Sequence, residues 1–256
     1  MLELDYAKGG VKNALAVLDT VSSLAPCATV RLSGWDFSPK VVEASPELEI
    51  VRERLVALLE DGEGVQVLSL TNVQYTGRVV SSAMGARLEE LEVCETIVSE
   101  RDGLMLGALI ANAPLLSSFR FSRNDSFAKA ITVLCNKIAK SSSLTTLDFS
   151  YNSFMGFVGT SIGTMIAASG SQLKVINLGH NQLRSLGVRP IAKSLRKNVS
   201  LTSLNLADNH IDSHGVDDLV AALQANPGSS LVALDLSLND ALSQADVDRV
   251  APLLRT

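Results

Sequence analysis

LTTLDFSYN at residues 144–152 is followed by LKVINLGHN at 173–181, LTSLNLADN at 201–209 and LVALDLSLN at 231–239, four spellings of L-x-x-L-x-L-x-x-N. Their asparagines, Asn152, Asn181, Asn209 and Asn239, stand 29, 28 and 30 residues apart. A fixed period of that size marks a chain built by stacking copies of one small unit. Reading backwards, LSSFRFSRN at 116–124 ends on Asn124, again 28 residues before Asn152. LEELEVCET at 88–96 keeps the pattern with Thr96 at the asparagine position, VQVLSLTNV at 65–73 has Val73 there, and CATVRLSGW at 27–35 has Trp35. Counting 28 further back from Trp35 reaches Ala7, which places Leu2 and Leu4 on inward strand positions and predicts a chain that opens inside a unit.

Each unit has a physical logic. In L-x-x-L-x-L the spaced leucines point to one face of a short strand and the residues between them to the other, the period-2 pattern of a strand with one covered face. The asparagine can accept from and donate to backbone groups where the chain leaves the strand. Asn124, Asn152, Asn181, Asn209 and Asn239 are therefore expected to form a structural ladder. A helix should follow each strand: the stretches beginning at Gly187, Gly215 and Ala245 carry apolar residues at three and four spacing, with Ser213 and Ser243 at plausible helix starts.

A strand–helix unit of 28 residues resembles the ribonuclease-inhibitor-like subfamily of leucine-rich repeats, as in NOD-like receptors, tropomodulins and Ran GTPase-activating proteins. The implied fold is an α/β leucine-rich repeat solenoid (horseshoe) of about eight to nine repeats, with a parallel β-sheet on the concave face and helices on the convex face. Residues 1–256 read as a single repeat domain: irregular N-terminal repeats over 1–64, degenerate repeats over 65–115 and regular ones over 116–256. Trp35 and Val73 are 38 residues apart, so about ten residues are surplus, and the proline-containing stretch near 36–46 is expected to be an inserted loop on a rim ahead of a helix at 46–61. Val73 and Thr96 are only 23 apart, which predicts a shortened helix near 78–86.

Composition narrows the function classes. The net charge is −5, aromatics make up 4% of residues, and no basic cluster interleaves with them, so nucleic acid is not the expected partner. No apolar run approaches the ~18 residues needed to cross a membrane, and the start lacks a secretory or mitochondrial leader. A cytoplasmic location follows, with cytoskeletal association left open. Cys27, Cys94 and Cys135 share no paired spacing, and Cys27 is expected in the core.

Three motifs invite catalytic or metal readings. Gly159-Thr-Ser-Ile-Gly163 spells a nucleophile elbow, but the preceding strand has ended near Ser150 and Ser161 falls in a helix. Asp208, His210, Asp212 and His214 alternate like metal ligands, yet Asn209 and Ile211 between them are repeat positions, and His214 occupies the place of Leu186 one unit earlier. The N-x-S/T triplets at Asn124 and Asn198 have no role in the cytoplasm. No enzymatic activity, cofactor or metal is expected.

What remains is the outward face of the strands. Its middle column reads Glu3, Arg31, Ser69, Glu92, Arg120, Asp148, Asn177, Asn205 and Asp235. Flanking columns add Glu90, Glu95, Arg123, Tyr151, His180 and Asp208. The signs alternate along the stack, and fixed charges on a rigid sheet set orientation and partner choice. The expectation is a non-enzymatic protein-interaction scaffold, alone or within a large complex, using this face and the rim near 36–46. Its partner-binding residues would be Arg31, Glu90, Glu92, Arg120 and Arg123 in the first half and Asp148, Tyr151, Asn177, His180, Asn205, Asp208 and Asp235 in the second. The resemblance leaves open a GTPase-activating protein of the Ran type or a structural subunit of a cytoskeletal or axonemal assembly. Bare edge strands at either end would be open to end-to-end association.

Overall fold

The computed structural model describes residues 1–21, 29–60, 65–80, 85–126, 128–168 and 170–254. They gather into two compact units, Met1–Leu134 and Cys135–Thr256. In the first, the strands β1 (Leu2–Asp5), β2 (Thr29–Ser33), β3 (Val67–Thr71), β4 (Glu90–Cys94) and β6 (Ser118–Ser122) pair in parallel in that order. Two-residue strands β5 (Ile97–Val98) and β7 (Asp125–Ser126) form a small parallel ladder just past the turn. In the second unit β8 (Thr146–Asp148), β9 (Val175–Asn177), β10 (Ser203–Asn205) and β11 (Ala233–Asp235) pair in parallel.

The leucine code explains which face is covered. Leu2, Leu4, Val30, Leu32, Leu68, Leu70, Leu91, Val93, Phe119 and Phe121 are all buried, and the residues between them point the other way. Leu147, Phe149, Ile176, Leu178, Leu204 and Leu206 do the same in the second unit. Helices supply the other half of each core. α4 (Glu100–Ala111) is opened by a capping box in which Ser99 and Asp102 satisfy each other's backbone N–H groups. α8 (Ser213–Gln224) begins at Ser213, but its cap is Asp212, which accepts from the N–H groups of His214 and Gly215. α9 (Gln244–Val250) has a second capping box, Ser243 with Asp246. α6 (Gly159–Ile166) and α7 (Arg184–Leu195) approach until their backbones touch: a Cβ on Gly159 would lie 2.1 Å from the carbonyl oxygen of Gly187.

The first unit departs from the regular spelling in three places. α1 (Tyr6–Val21) is kinked at Gly10, whose φ of 60° is glycine territory. The stretch expected as an inserted loop contains a six-residue helix, α2 (Pro39–Ala44), with Ser38 at the cap position and proline at the first helical turn, where its missing N–H costs nothing. α3 (Glu47–Glu60) follows where a helix is expected at 46–61, burying Leu48, Val51, Leu55 and Leu59 while Leu58, on the same apolar face of the sequence, stays half-buried. Where a shortened helix is expected near 78–86, Thr76–Arg78 forms a single 3₁₀ turn. Residues 81–84 of that expectation, like Cys27, lie outside the described residues.

Candidate functional site

The asparagines sit at the corner where each strand ends. Asn181 Oδ1 accepts from the N–H groups of Asn152 and Phe154 at 3.0 Å each, while Nδ2 donates to the carbonyls of Phe149 and Leu178. Asn239 repeats this on Asn209, Ile211, Leu206 and Leu236. Asn209 donates to Leu178 and Leu206, and Asn124 joins Thr96 N–H to the Val93 carbonyl. All are buried, so each replaces water for several backbone groups at once.

That corner controls what the outward face presents. The residue immediately before the asparagine position is left-handed in repeat after repeat: Asn72, Glu95, Arg123, Tyr151, His180, Asp208 and Leu238 have φ between 50° and 58°. Non-glycine residues pay a steric cost there, yet none of these seven positions carries glycine, which stands only at the equivalent Gly34 before Trp35, at φ 73°. In the second unit the result is a connected row. The Tyr151 ring stacks on the His180 imidazole with centroids 4.0 Å apart and planes at 10°, and His180 Nδ1 lies 2.9 Å from Asp208 Oδ2. Tyr151 is 43% exposed, and Leu238, which the sequence reading did not single out, continues the column at 64%.

The middle column of this unit is also local structure. Asp148, Asn177, Asn205 and Asp235 stand side by side in register. Each accepts, through Oδ1, the N–H two residues on, at Ser150, Gly179, Ala207 and Ser237, over 2.8–3.0 Å. These are Asx turns that steer the chain off the strand. The readable signal was an Asp or Asn in four consecutive units, always two residues before a small residue. One side-chain oxygen of each is thus committed to the fold.

In the first unit the column runs Glu3, Arg31, Ser69, Glu92, Arg120 by strand register. Glu92 is its centre: Ser69 Oγ donates to it at 2.8 Å and Arg120 Nη1 approaches to 3.5 Å. Cys94 Sγ lies 3.6 Å from Glu92 and 3.3 Å from Ser122 Oγ; burial, reinforced by the Glu92 charge, pushes its thiol pKa up. Cys135, fully buried, is pushed up to about 12. Arg31 Nη1 reaches Met1 Sδ, and Glu90 and Arg123 are exposed. The rim near 36–46 is fixed by Glu49, which takes two hydrogen bonds from Arg52 and two from Arg78, while Arg78 also donates to the Phe37 carbonyl. The Arg52 hydrogen bonds, then both guanidinium charges, hold the Glu49 carboxyl below its usual range. Beside this network a cleft of about 430 Å³ is lined by Pro39, Val42, Glu43, Tyr75, Arg78 and Arg101, among others.

The catalytic and metal motifs resolve into structure. Ser161 lies inside α6, where Ile162, Met165 and Ile166 are buried. Asp208 faces His180, and Asp212 takes the Ser185 hydroxyl as well as its two cap hydrogen bonds, chiefly through Ser185 lowering its pKa. Among the described residues no group of three His, Cys, Asp or Glu side chains is placed to hold a metal ion. No described helix is long and apolar enough to cross a membrane.

Two leucine-rich repeat family models match, one over residues 143–165 and one over 197–220. Comparison with curated protein sequences gives no match. Among solved structures, actin-binding site 2 of leiomodin-1 is similar at 18% identity and TM-score 0.44, over 50% of this chain and 72% of that one. The C-terminal domain of Caenorhabditis elegans tropomodulin matches at 13% identity and 0.44, over 79% and 90%. The yeast complex of Rad7 and Elc1 matches at 13% and 0.45, over 99% and 67%. With parallel strands alternating with helices and an asparagine corner at a period near 28 residues, the chain is a leucine-rich repeat protein.

Proposed function

We propose that this protein is a non-enzymatic, cytoplasmic scaffold that binds a protein partner through the outward face of its strands and the rim around residues 36–46. The observation that carries the reading is the row Tyr151, His180, Asp208, held outward on left-handed backbone without glycine. An aromatic ring, an imidazole and a carboxylate in fixed mutual geometry are ready to bind without first being ordered, which lowers the cost of association. Tyrosine is among the side chains that dominate interface energetics. In the first unit the exposed charges of Arg31, Glu90, Arg120 and Arg123 supply orientation rather than affinity.

The test is quantitative affinity capture with three baits: wild type, Tyr151→Ala with His180→Ala, and Arg120→Glu with Arg123→Glu. A set of proteins held by wild type and depleted on at least one variant, with both variants melting as wild type does, is the expected result. Identical capture on all three baits would refute the use of this face.

A further inference from the structure

We propose a second docking surface, on the helical side of the second unit between α6 and α7, that takes an acidic amphipathic segment of a partner protein. It goes beyond the strand-face reading and shares no residue with it.

The first observation is a pair of exposed apolar side chains that the repeat does not require. Five residues past the asparagine position, successive units carry Arg101, Lys129, Phe157, Leu186, His214 and Gln244. Four of the six are polar, as a solvent-facing position in the first helical turn should be. Phe157 and Leu186, in adjacent units, are 60% and 70% exposed. They flank the place where α6 and α7 meet backbone to backbone through Gly159 and Gly187. With no side chains between the helices there, a cleft of about 390 Å³ opens, lined by Phe157, Thr160, Leu186, Arg189, Pro190 and Lys193. A concavity of that size accepts a partner side chain.

The second observation is charge. Residues 153–172, which include all of α6, carry no charged side chain. Residues 182–198 carry Arg184, Arg189, Lys193, Arg196 and Lys197 and no acid, although the whole protein has a net charge of −5. All five cations are exposed. Arg189 pairs with Asp218 at 3.1 Å. Lys193 lies on the cleft, and Arg196 follows it on the same helical face. The surface is therefore an apolar notch edged by cations on a protein that is elsewhere acidic, and its complement is an apolar side chain flanked by carboxylates. A concave notch with only two large apolar residues favours a peptide over a lipid surface, into which protruding side chains insert.

The probe is a fluorescein-labelled peptide with leucines along one helical face and glutamates on the other, titrated by fluorescence anisotropy. Its counterpart with lysine for glutamate and vesicles of phosphatidylcholine with phosphatidylserine are the competing ligands. The expected result is saturable binding of the glutamate peptide that weakens as salt rises. Binding should fall by about tenfold or more for Phe157→Ser with Leu186→Ser, and again for Lys193→Glu. Amide chemical-shift changes should map to 156–160 and 184–197 and leave Tyr151, His180 and Asp208 unmoved. Lys193→Glu changes one exposed side chain, so it remains decisive if the double variant unfolds. Equal binding of both peptides, vesicle binding in preference to the peptide, or unaltered affinity in Lys193→Glu would overturn the proposal.

Discussion

Trp35 and Asn181 occupy the same position of their repeats, one in the first unit and one in the second, and do the same job with different chemistry. Asn181 Nδ2 donates to Phe149, three residues before the asparagine position of the preceding repeat. Trp35 Nε1 donates at 3.0 Å to Leu4, which by the same count is three residues before Ala7. The indole thus provides the donor half of the ladder. It has no acceptor, and Asp5 supplies that half instead, taking the N–H of Ala7 at 2.9 Å where Asn181 takes that of Asn152. What the repeat needs at this corner is a donor and an acceptor at two fixed points, and one amide or two separate side chains can deliver them.

The largest expected effect sharpens that contrast. Trp35 is 1% exposed, stacks on Phe37 and meets Tyr6 edge to face, so Trp35→Ala removes a large buried ring as well as the Leu4 hydrogen bond. Chemical denaturation should show a loss of about 3–5 kcal/mol. Asn181→Ala removes little volume but strands several buried backbone groups, for an expected loss of about 1–3 kcal/mol. Asn239→Ala should cost about the same, because Asn239 has the same set of partners and is equally buried. A loss at Asn181 larger than that at Trp35 would break the comparison, since it would make the corner hydrogen bonds outweigh the ring's burial.

Trp35→Phe isolates the donor. It keeps most of the packing and leaves the Leu4 carbonyl without its indole partner, so the expected cost is about 1 kcal/mol beyond the small loss of buried surface. If Trp35→Phe is as stable as wild type in urea, the indole N–H does not stand in for asparagine and Trp35 is simply core.

The same contrast explains what could be read in advance. Leucine spacing is a burial pattern, and burial is set by the period alone, so strands, register and covered face were legible even where Thr96, Val73 and Trp35 replace asparagine. Trp35 as a donor was not legible, because an indole among Tyr6 and Phe37 reads as packing. A second ladder escaped for another reason: Asn198 and Asn226, 28 residues apart, donate to the carbonyls of Ile166 and of Leu195 and Asn198 at the helix-to-strand corner. Two copies are too few to announce a column. On the outward face the columns were legible from alternation, but the Tyr151–His180 stack was not, since it depends on the left-handed backbone at both residues. The short helix α2 did leave a signal, the Ser38-Pro39 start, hidden within a proline-containing stretch that looked like a loop.

The smallest expected effect concerns acid, and it asks whether the two units are held at their edges by the same kind of interaction. Glu49 in the first unit has its pKa lowered first by hydrogen bonds from Arg52 and then by the charges of Arg52 and Arg78. Asp246 in the second is lowered first by the Ser243 hydroxyl and then by the Ser243 N–H. A carboxyl whose folded pKa lies below its unfolded value contributes stability above the unfolded value and loses it as pH falls through the folded one. Both contributions should therefore be complete at neutral pH and fade below about pH 4. Melting curves of Glu49→Gln and Asp246→Asn against wild type should show a deficit at pH 7 that shrinks toward zero in acid. Salt separates them: the deficit of Glu49→Gln should narrow at high ionic strength because charge–charge attraction is screened, while that of Asp246→Asn, a cap made mainly with a neutral serine, should change less. Equal narrowing in both variants would mean that Asp246 acts through Arg249, 3.7 Å away, rather than as a helix cap.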